Sequence, residues 1–391
     1  MKKRFSLAIV AAASSLALVG CNAGASSSGS SEARTDMVVA HTAEPANLDF
    51  TTSAGAAVPQ ALMENVYESL VRIDQEGQIQ PALAESWDLS EDRKTYTFKL
   101  REGVKFSSGA DFTAEDVKFS YERVKSDEWK NALKSKMDVV DSIKVVDDAT
   151  VEITLSHPSN RWLFDLASLV GAIFDEDGVS DLANKAVGTG PFTVDTFTRG
   201  QQIVFASRDD YWGEAPKLDK VTFKYFKDPV ASANALKSGE VDVLANLQAP
   251  DLLSSFEKEG DKFKVVEGTS NGEVLLALNN ADGVFKDKKV REAVMYALDE
   301  QAIIDTAWSG HGTLIGSMVP PTDPYYEDLN DIWPHDVEKA KKLVEEAGVK
   351  DETVKFTVPN LPYATASANV VVSQLEAVGL KAKVETCLLY T

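Results

Sequence analysis

The chain has 391 residues, two cysteines and a formal net charge of -21. At roughly 150 residues per domain it has room for two or three domains. Its 44% hydrophobic and 26% charged residues are ordinary for a folded protein and exclude a disordered chain, a collagen-like repeat or a disulfide-stapled mini-protein. The acidic balance argues against a nucleic-acid partner, because a phosphate backbone needs clustered Lys and Arg.

The N-terminus reads as an address. Met1-Lys2-Lys3-Arg4 is a positive start, and Leu7 to Val19 is an apolar or small run of 13 residues. A membrane-spanning helix needs about 20 apolar residues, so this is the apolar region of a signal peptide over residues 1–20. The run ends in Leu18-Val19-Gly20-Cys21, a pattern resembling a bacterial lipobox. Cys21 is therefore expected to become the first residue and carry lipid, anchoring the chain to a membrane. The Ser/Gly-rich stretch after it carries no large apolar side chain, so residues 21–36 read as lipidated cysteine plus flexible tether.

The body alternates strands and helices. Met37 to His41 is a short strand, and Glu44-Pro45-Ala46-Asn47-Leu48-Asp49 a loop that Pro45 keeps out of the strand. Pro59 to Leu70 reads as a helix with Leu62, Val66 and Leu70 on one face. Thr95 to Leu100 alternates as a half-buried strand. Thr113 and Asp116 have the spacing of a capping box for a helix reaching about Val124. Strands follow over 139–146, 151–155, 193–197, 201–206 and 220–226, with a Gly-rich turn at Val187-Gly188-Thr189-Gly190-Pro191-Phe192. Pro229 to Ser238 is a helix closed by Gly239. Val241 to Leu244 and Val274 to Leu278 read as strands. Helices are expected over 287–299, 300–308 and 337–347, and a β-α-β unit over 354–384. This mixture predicts an α/β architecture with more than one lobe.

Catalytic chemistry is hard to find. His41, His157, His311 and His335 have no metal-ligand spacing, and there is no His-Glu-x-x-His, no Gly-x-Ser-x-Gly and no usable cysteine nucleophile. Gly188-Thr189-Gly190-Pro191 lacks the Lys and spacing of a phosphate loop. No enzyme activity, cofactor or metal is expected.

Four blocks of sequence carry a resemblance. They are Glu44 to Asp49; Tyr67-Glu68-Ser69-Leu70 with Leu83 to Trp87, Tyr96 to Phe106 and Phe112 to Val117; Gly188 to Phe192 with Asp210-Tyr211-Trp212-Gly213 and Ser238 to Asp242; and Asn279-Asn280 with Val290 to Ala293 and Ala297 to Asp299. Together these resemble the family 5 extracellular solute-binding proteins of ABC importers, the dipeptide, oligopeptide and nickel group, over about residues 37–386.

The resemblance implies an α/β, two-lobed periplasmic-binding-protein-like fold of class II, of the large type, with an inserted subdomain in lobe I. Lobe I would span 37–268, with the insertion at about 71–186, and residues 269–386 would form the first part of lobe II. It implies a lipid-anchored extracytoplasmic monomer, on the outer face of a Gram-positive membrane or in a periplasm. Such a protein captures a small molecule, here a peptide, by hinge closure and delivers it to an ABC permease and ATPase complex. Relatives bind nickel complexes, haem or oligosaccharides in the same fold, and a surface peptide-sensing receptor would need the same cleft. The loop Glu44, Pro45, Ala46 and Asn47 and the crossover Asn271, Gly272 and Glu273 are expected to line that cleft, with Glu44 receiving a ligand amine. Trp162 is a further candidate for contact with a ligand side chain, with a place in the core as the alternative. Peptide-binding members hold the ligand's amino terminus with an Asp late in lobe II, to which no position here matches.

Cys387-Leu388-Leu389-Tyr390-Thr391 back-translates to TGT CTC TTA TAC ACA, a transposon end used in sequencing libraries. Residues 387–391 are therefore expected to be adapter-derived, with lobe II continuing beyond Thr386 in the natural chain.

Overall fold

In the computed structural model, residues 34–52, 55–268, 272–323 and 325–387 are described. Cys21 and residues 1–20 lie outside them, as do four of the five residues expected to be adapter-derived.

The first strand, β1 (Asp36–His41), runs into the Glu44 loop. Leu48 and Phe50 then bury themselves at 1% exposure each and moor that loop to the core. Helix α1 (Ala57–Leu62) is shorter than the periodicity predicts. Val66 and Tyr67 both return their N–H groups to Leu62 O, at 2.8 and 3.0 Å, and Glu64 enters the left-handed region at φ 62. Leu62, Val66 and Leu70 are nevertheless all fully buried. Their spacing belongs to one helical turn followed by a tight reversal.

β2 (Val71–Ile73) and β3 (Ile79–Pro81) form a hairpin. β4 (Ala84–Leu89), β5 (Thr95–Leu100), β6 (Val140–Asp147) and β7 (Thr150–Leu155) make an antiparallel sheet in the order β4-β5-β7-β6. Helix α2 (Ala114–Lys125) packs on it through Val117, Tyr121 and Val124. The expected capping box is present: Asp116 Oδ2 accepts the Thr113 N–H at 2.8 Å. A short helix α3 (Trp162–Leu166) closes this region.

β8 (Phe192–Thr198), β9 (Gln202–Ser207) and β10 (Lys220–Tyr225) rejoin β1. Helix α4 (Pro229–Ser238) starts on the Asp228 carboxylate and stops at Gly239, φ 77. β11 (Val243–Leu244) then completes a five-stranded sheet in the order β11-β1-β10-β9-β8. β1 is parallel to both β10 and β11, whereas β10, β9 and β8 are antiparallel. Helix α5 (Leu253–Glu257) follows.

The segment Val274 to Leu278 forms no strand. Leu276 and Leu278 pack inward while Val274 and Leu275 stay exposed. Apolar alternation supplies one face of a strand, but a strand also needs a ladder partner, and none pairs with it among the described residues. α6 (Lys288–Ala297), α7 (Glu300–Ala307) and α8 (Val337–Glu346) precede the β-α-β unit β12 (Thr353–Pro359), α9 (Pro362–Ala377) and β13 (Lys381–Cys387). β12 and β13 are parallel, with Cys387 opposite Pro359.

One core runs from Val39 to Val221 and includes the inner faces of both larger sheets. Its aromatic centre is Phe50, Tyr67, Trp129 and Phe174, with ring centroids 5.2 to 6.3 Å apart. A second core is built from Val290 and Val294 on α6, Val344 on α8, Leu375 on α9 and Leu380 just before β13, with Phe356 of β12 and Ala382 of β13 packed against it. No helix among the described residues is long and apolar enough to cross a membrane.

Candidate functional site

In open α/β sheets, ligands bind beyond the carboxyl ends of the parallel strands. Here those ends are His41, Tyr225 and Leu244. His41 and Tyr225 are direct register partners, although 184 positions separate them in sequence. Their rings lie 6.4 Å apart, and Phe223 lies 4.4 Å from His41. The three rings, with Ala43, Ala57, Gln60 and Ala61, line a narrow crevice. It is too tight in this structure to admit a water-sized group.

Two buried polar atoms stand out at this edge. Neither His41 Nε2 nor the Tyr225 hydroxyl has a hydrogen-bond partner among the described residues. Such a group costs about 1–3 kcal/mol when buried unsatisfied. Burial holds the His41 imidazole below its ordinary range, which favours the neutral form. Burial, and then the nearby Glu44 carboxylate, push the Tyr225 phenol above its ordinary range, so it keeps its proton.

Glu44 is half-buried and accepts the backbone N–H of Gly200. Gly200 occupies the turn between β8 and β9 at φ 78. That left-handed conformation favours glycine, and the turn closes with Gln201 N–H on Thr198 O at 3.0 Å. Gln248 donates to Thr42 Oγ1 at 3.3 Å and so ties the segment after β11 to the same edge.

Pro45 is buried and Ala46 exposed. Asn47 is half-buried, and its Oδ1 accepts the Asp49 N–H at 2.7 Å, which fixes the loop rather than offering the amide outward. Asn271 lies outside the described residues. Gly272 is exposed and Glu273 half-buried on the segment leading to Leu276. Among the described residues, neither hydrogen bond nor ion pair joins Glu273 to the Glu44 loop. Trp162 requires a correction. It is 1% exposed, with Tyr96 at 5.0 Å and Phe98 at 6.3 Å between ring centroids, and it serves the core.

The Gly-rich turn also has a structural role. A Cβ on Gly188 would lie 2.0 Å from Val66 O, and one on Gly190 would lie 2.6 Å from Asn65 O. Gly190 N–H in turn donates to Val66 O at 2.9 Å. The glycines let two backbones touch. No group of His, Cys, Asp and Glu that could hold a metal ion occurs among the described residues.

His41 and Tyr225 were not singled out as binding residues by the sequence. Their only local signal is an aromatic or imidazole side chain at the end of a strand pattern. Their meeting depends on β1 pairing with β10.

Chemically, the edge offers two polar atoms without partners among the described residues and a carboxylate beside a sheet, groups able to receive hydrogen-bond donors. Residues 78–389 match the model for bacterial extracellular solute-binding proteins, family 5 Middle. The chain is 30% identical over 364 residues to the glutathione-binding protein GsiB of Salmonella typhi, covering 89% of this chain and 69% of that protein. It is 29% identical over 385 residues to di/tripeptide-binding protein 1 of Pseudomonas aeruginosa, covering 90% and 71%. Among solved structures, it resembles the ABC transporter-associated periplasmic binding protein DppA from Helicobacter pylori in complex with peptide STSA. The TM-score is 0.77 and the identity 26%, over 90% of this chain and 74% of that one. The chain belongs to the family 5 extracellular solute-binding proteins of ABC importers. Its fold is the α/β two-lobed fold of that family. Members bind small-molecule ligands such as peptides and work with ABC transporters; this is not an enzyme family.

Proposed function

We propose that this chain is a lipid-anchored extracytoplasmic binding protein that captures a short peptide by lobe closure and passes it to an ABC permease and ATPase complex. The observation that carries the reading is the polar carboxyl edge of β1 and β10, where Glu44, His41 and Tyr225 meet within a family 5 chain. A peptide is favoured because one relative is named for di/tripeptides and the DppA structure holds a peptide.

The lobes of this reading are residues 37–268, with an inserted subdomain at about 71–186, and residues 269–386. The separate cores on either side of residue 269 support that division. A ligand that contacts both lobes only when they are closed shifts the open–closed equilibrium by its differential affinity. The loop Glu44 to Asn47 and the crossover segment at Gly272 and Glu273 line the cleft, and the protein acts as a monomer. Cys21 carries the lipid, and Cys21→Ser abolishes incorporation of labelled fatty acid into the protein in cells. Undiminished labelling contradicts the anchor.

Calorimetric titration with tri-alanine tests the site. Glu44→Ala weakens binding at least fivefold, because a carboxylate–ammonium hydrogen bond contributes about 1.5–3 kcal/mol. Equal affinity in wild type and variant removes Glu44 from the cleft.

A further inference from the structure

A cavity of about 260 Å³ opens between the end of helix α2 and strand β6. It shares no lining residue with the crevice at His41. We propose that this cavity and the free edge of β6 form a docking groove for an extended, basic segment of a partner polypeptide. The segment adds to β6 as a strand and places one Lys or Arg side chain in the cavity.

β6 ends the sheet order β4-β5-β7-β6, so one of its edges has no ladder partner among the described residues. An edge strand leaves alternate N–H and C=O groups pointing outward. The register shifts after Val140 and again after Val145. Between these irregularities, Ser142 to Val145 runs in regular register with Thr154 to Val151, which leaves a short unbroken edge for a partner strand. Main-chain bonds of this kind supply affinity, and side-chain pockets supply specificity.

The cavity walls are Glu122, Lys125 and Ser126 at the end of α2 and Val140 to Ile143 on β6. Pockets for whole small molecules run to about 300–1,000 Å³, so this one suits a single long side chain of a larger partner. Val140 is buried and Ile143 half-buried, an apolar floor for a methylene stem. Glu122 and Asp141 are exposed carboxylates on the same lining. The carbonyl end of α2 adds negative partial charge. Lys125, the cation of the lining, donates to Val140 O and pins helix to strand. An apolar stem with a cationic head is what Lys and Arg present.

Charge selects the partner. Asp138, Asp141, Asp147 and Asp148 stand on and beside β6 against Lys144, which is itself bonded to Glu152 at 2.9 Å. Two copies set edge to edge would oppose like charges, which destabilises a strand pair. A basic strand is attracted. Acidic side chains alone would merely keep the edge from pairing; the cavity beside it is a feature that such protection does not need.

The probe is N-acetyl-Thr-Val-Arg-Val-Thr amide carrying a benzophenone, added to the purified full chain with tri-alanine in excess to keep the ligand site filled. Calorimetry is expected to show binding that weakens with salt and is about tenfold weaker with Gln in place of Arg. Of two probes N-methylated at alternate residues in opposite phase, one binds and the other does not, because only alternate N–H groups face the edge. Photocrosslinks fall on residues 122–126 or 140–145. Glu122→Gln combined with Asp141→Asn, both at exposed positions, weakens the Arg probe about tenfold and leaves the melting temperature unchanged. No binding of the Arg probe overturns the proposal, as does equal binding of the Arg and Gln probes, of both methylated probes, or by wild type and the double variant. Crosslinks confined to other residues overturn it too and leave the peptide-capture reading standing. Dimers of the chain that crosslink through β6 would make a second copy the occupant and equally overturn it.

Discussion

The indole N–H of Trp212 donates to Glu68 Oε2 at 2.9 Å, joining positions 144 apart in the chain. Thr189 donates to the same oxygen at 2.8 Å, and the Tyr211 hydroxyl donates to Oε1 at 2.9 Å. The Arg101 guanidinium lies over the Trp212 ring at 4.7 Å. Arg208, itself buried, donates to the carbonyls of Gly188, Gly190 and Lys105 and to Asp210. This hub fastens the Gly-rich turn to the start of the antiparallel region. Glu68→Ala leaves three donors without their acceptor. Leaving a buried donor unsatisfied costs about 1–3 kcal/mol. Urea denaturation measures it, and a loss below about 1 kcal/mol contradicts the hub.

The same residue gives a pH prediction. Burial raises the Glu68 carboxyl above its ordinary value of 4.5, outweighing the downward pull of Trp212, Thr189, Tyr211 and Arg208. A raised folded pKa gives a contribution that is full below the unfolded value and is lost as pH rises through the folded one. The stability of wild type relative to Glu68→Gln therefore falls between pH 4 and the folded pKa. Denaturation of both proteins across this range checks the sign, and a relative stability that rises with pH contradicts it.

Trp162 packs on Tyr96 and Phe98. Trp162→Ala is expected to cost about 3–5 kcal/mol, as for other large aromatic truncations in cores. Ligand affinity, measured by calorimetry below the melting temperature, stays within about twofold. A weakened ligand with intact stability would return Trp162 to the cleft.

Gly188 has no room for a side chain. A methyl group there would meet Val66 O at 2.0 Å, so the paired segments must move apart. Gly188→Ala is expected to cost at least about 1–3 kcal/mol, read as a lowered melting temperature. An unchanged melting temperature contradicts the close approach.

What the sequence revealed was mostly local. The cap at Thr113 and Asp116, and the stretch from Asp228 through Pro229 to Gly239, specify helix ends through contacts a few residues long, so both were legible. The stretch from Pro59 to Leu70 misled because apolar spacing fits a helix and a helix-plus-turn equally well. The Met63–Tyr67 bridge and the left-handed Glu64 separate them. Val274 to Leu278 has the apolar residues of a strand but needs a partner that no local pattern supplies. The site shows the same limit. Glu44 was legible as a polar loop residue after a strand. His41 and Tyr225 acquire meaning only through parallel pairing across most of the first core, and Trp162, legible as aromatic, gave no sign of which way it faces.

Native mass spectrometry of the purified protein with an equimolar tripeptide mixture tests the central claim most directly. The account predicts a one-to-one complex carrying intact tripeptide, released unaltered on denaturation. Bare protein across the whole mixture, or recovery of cleaved peptides, would contradict it.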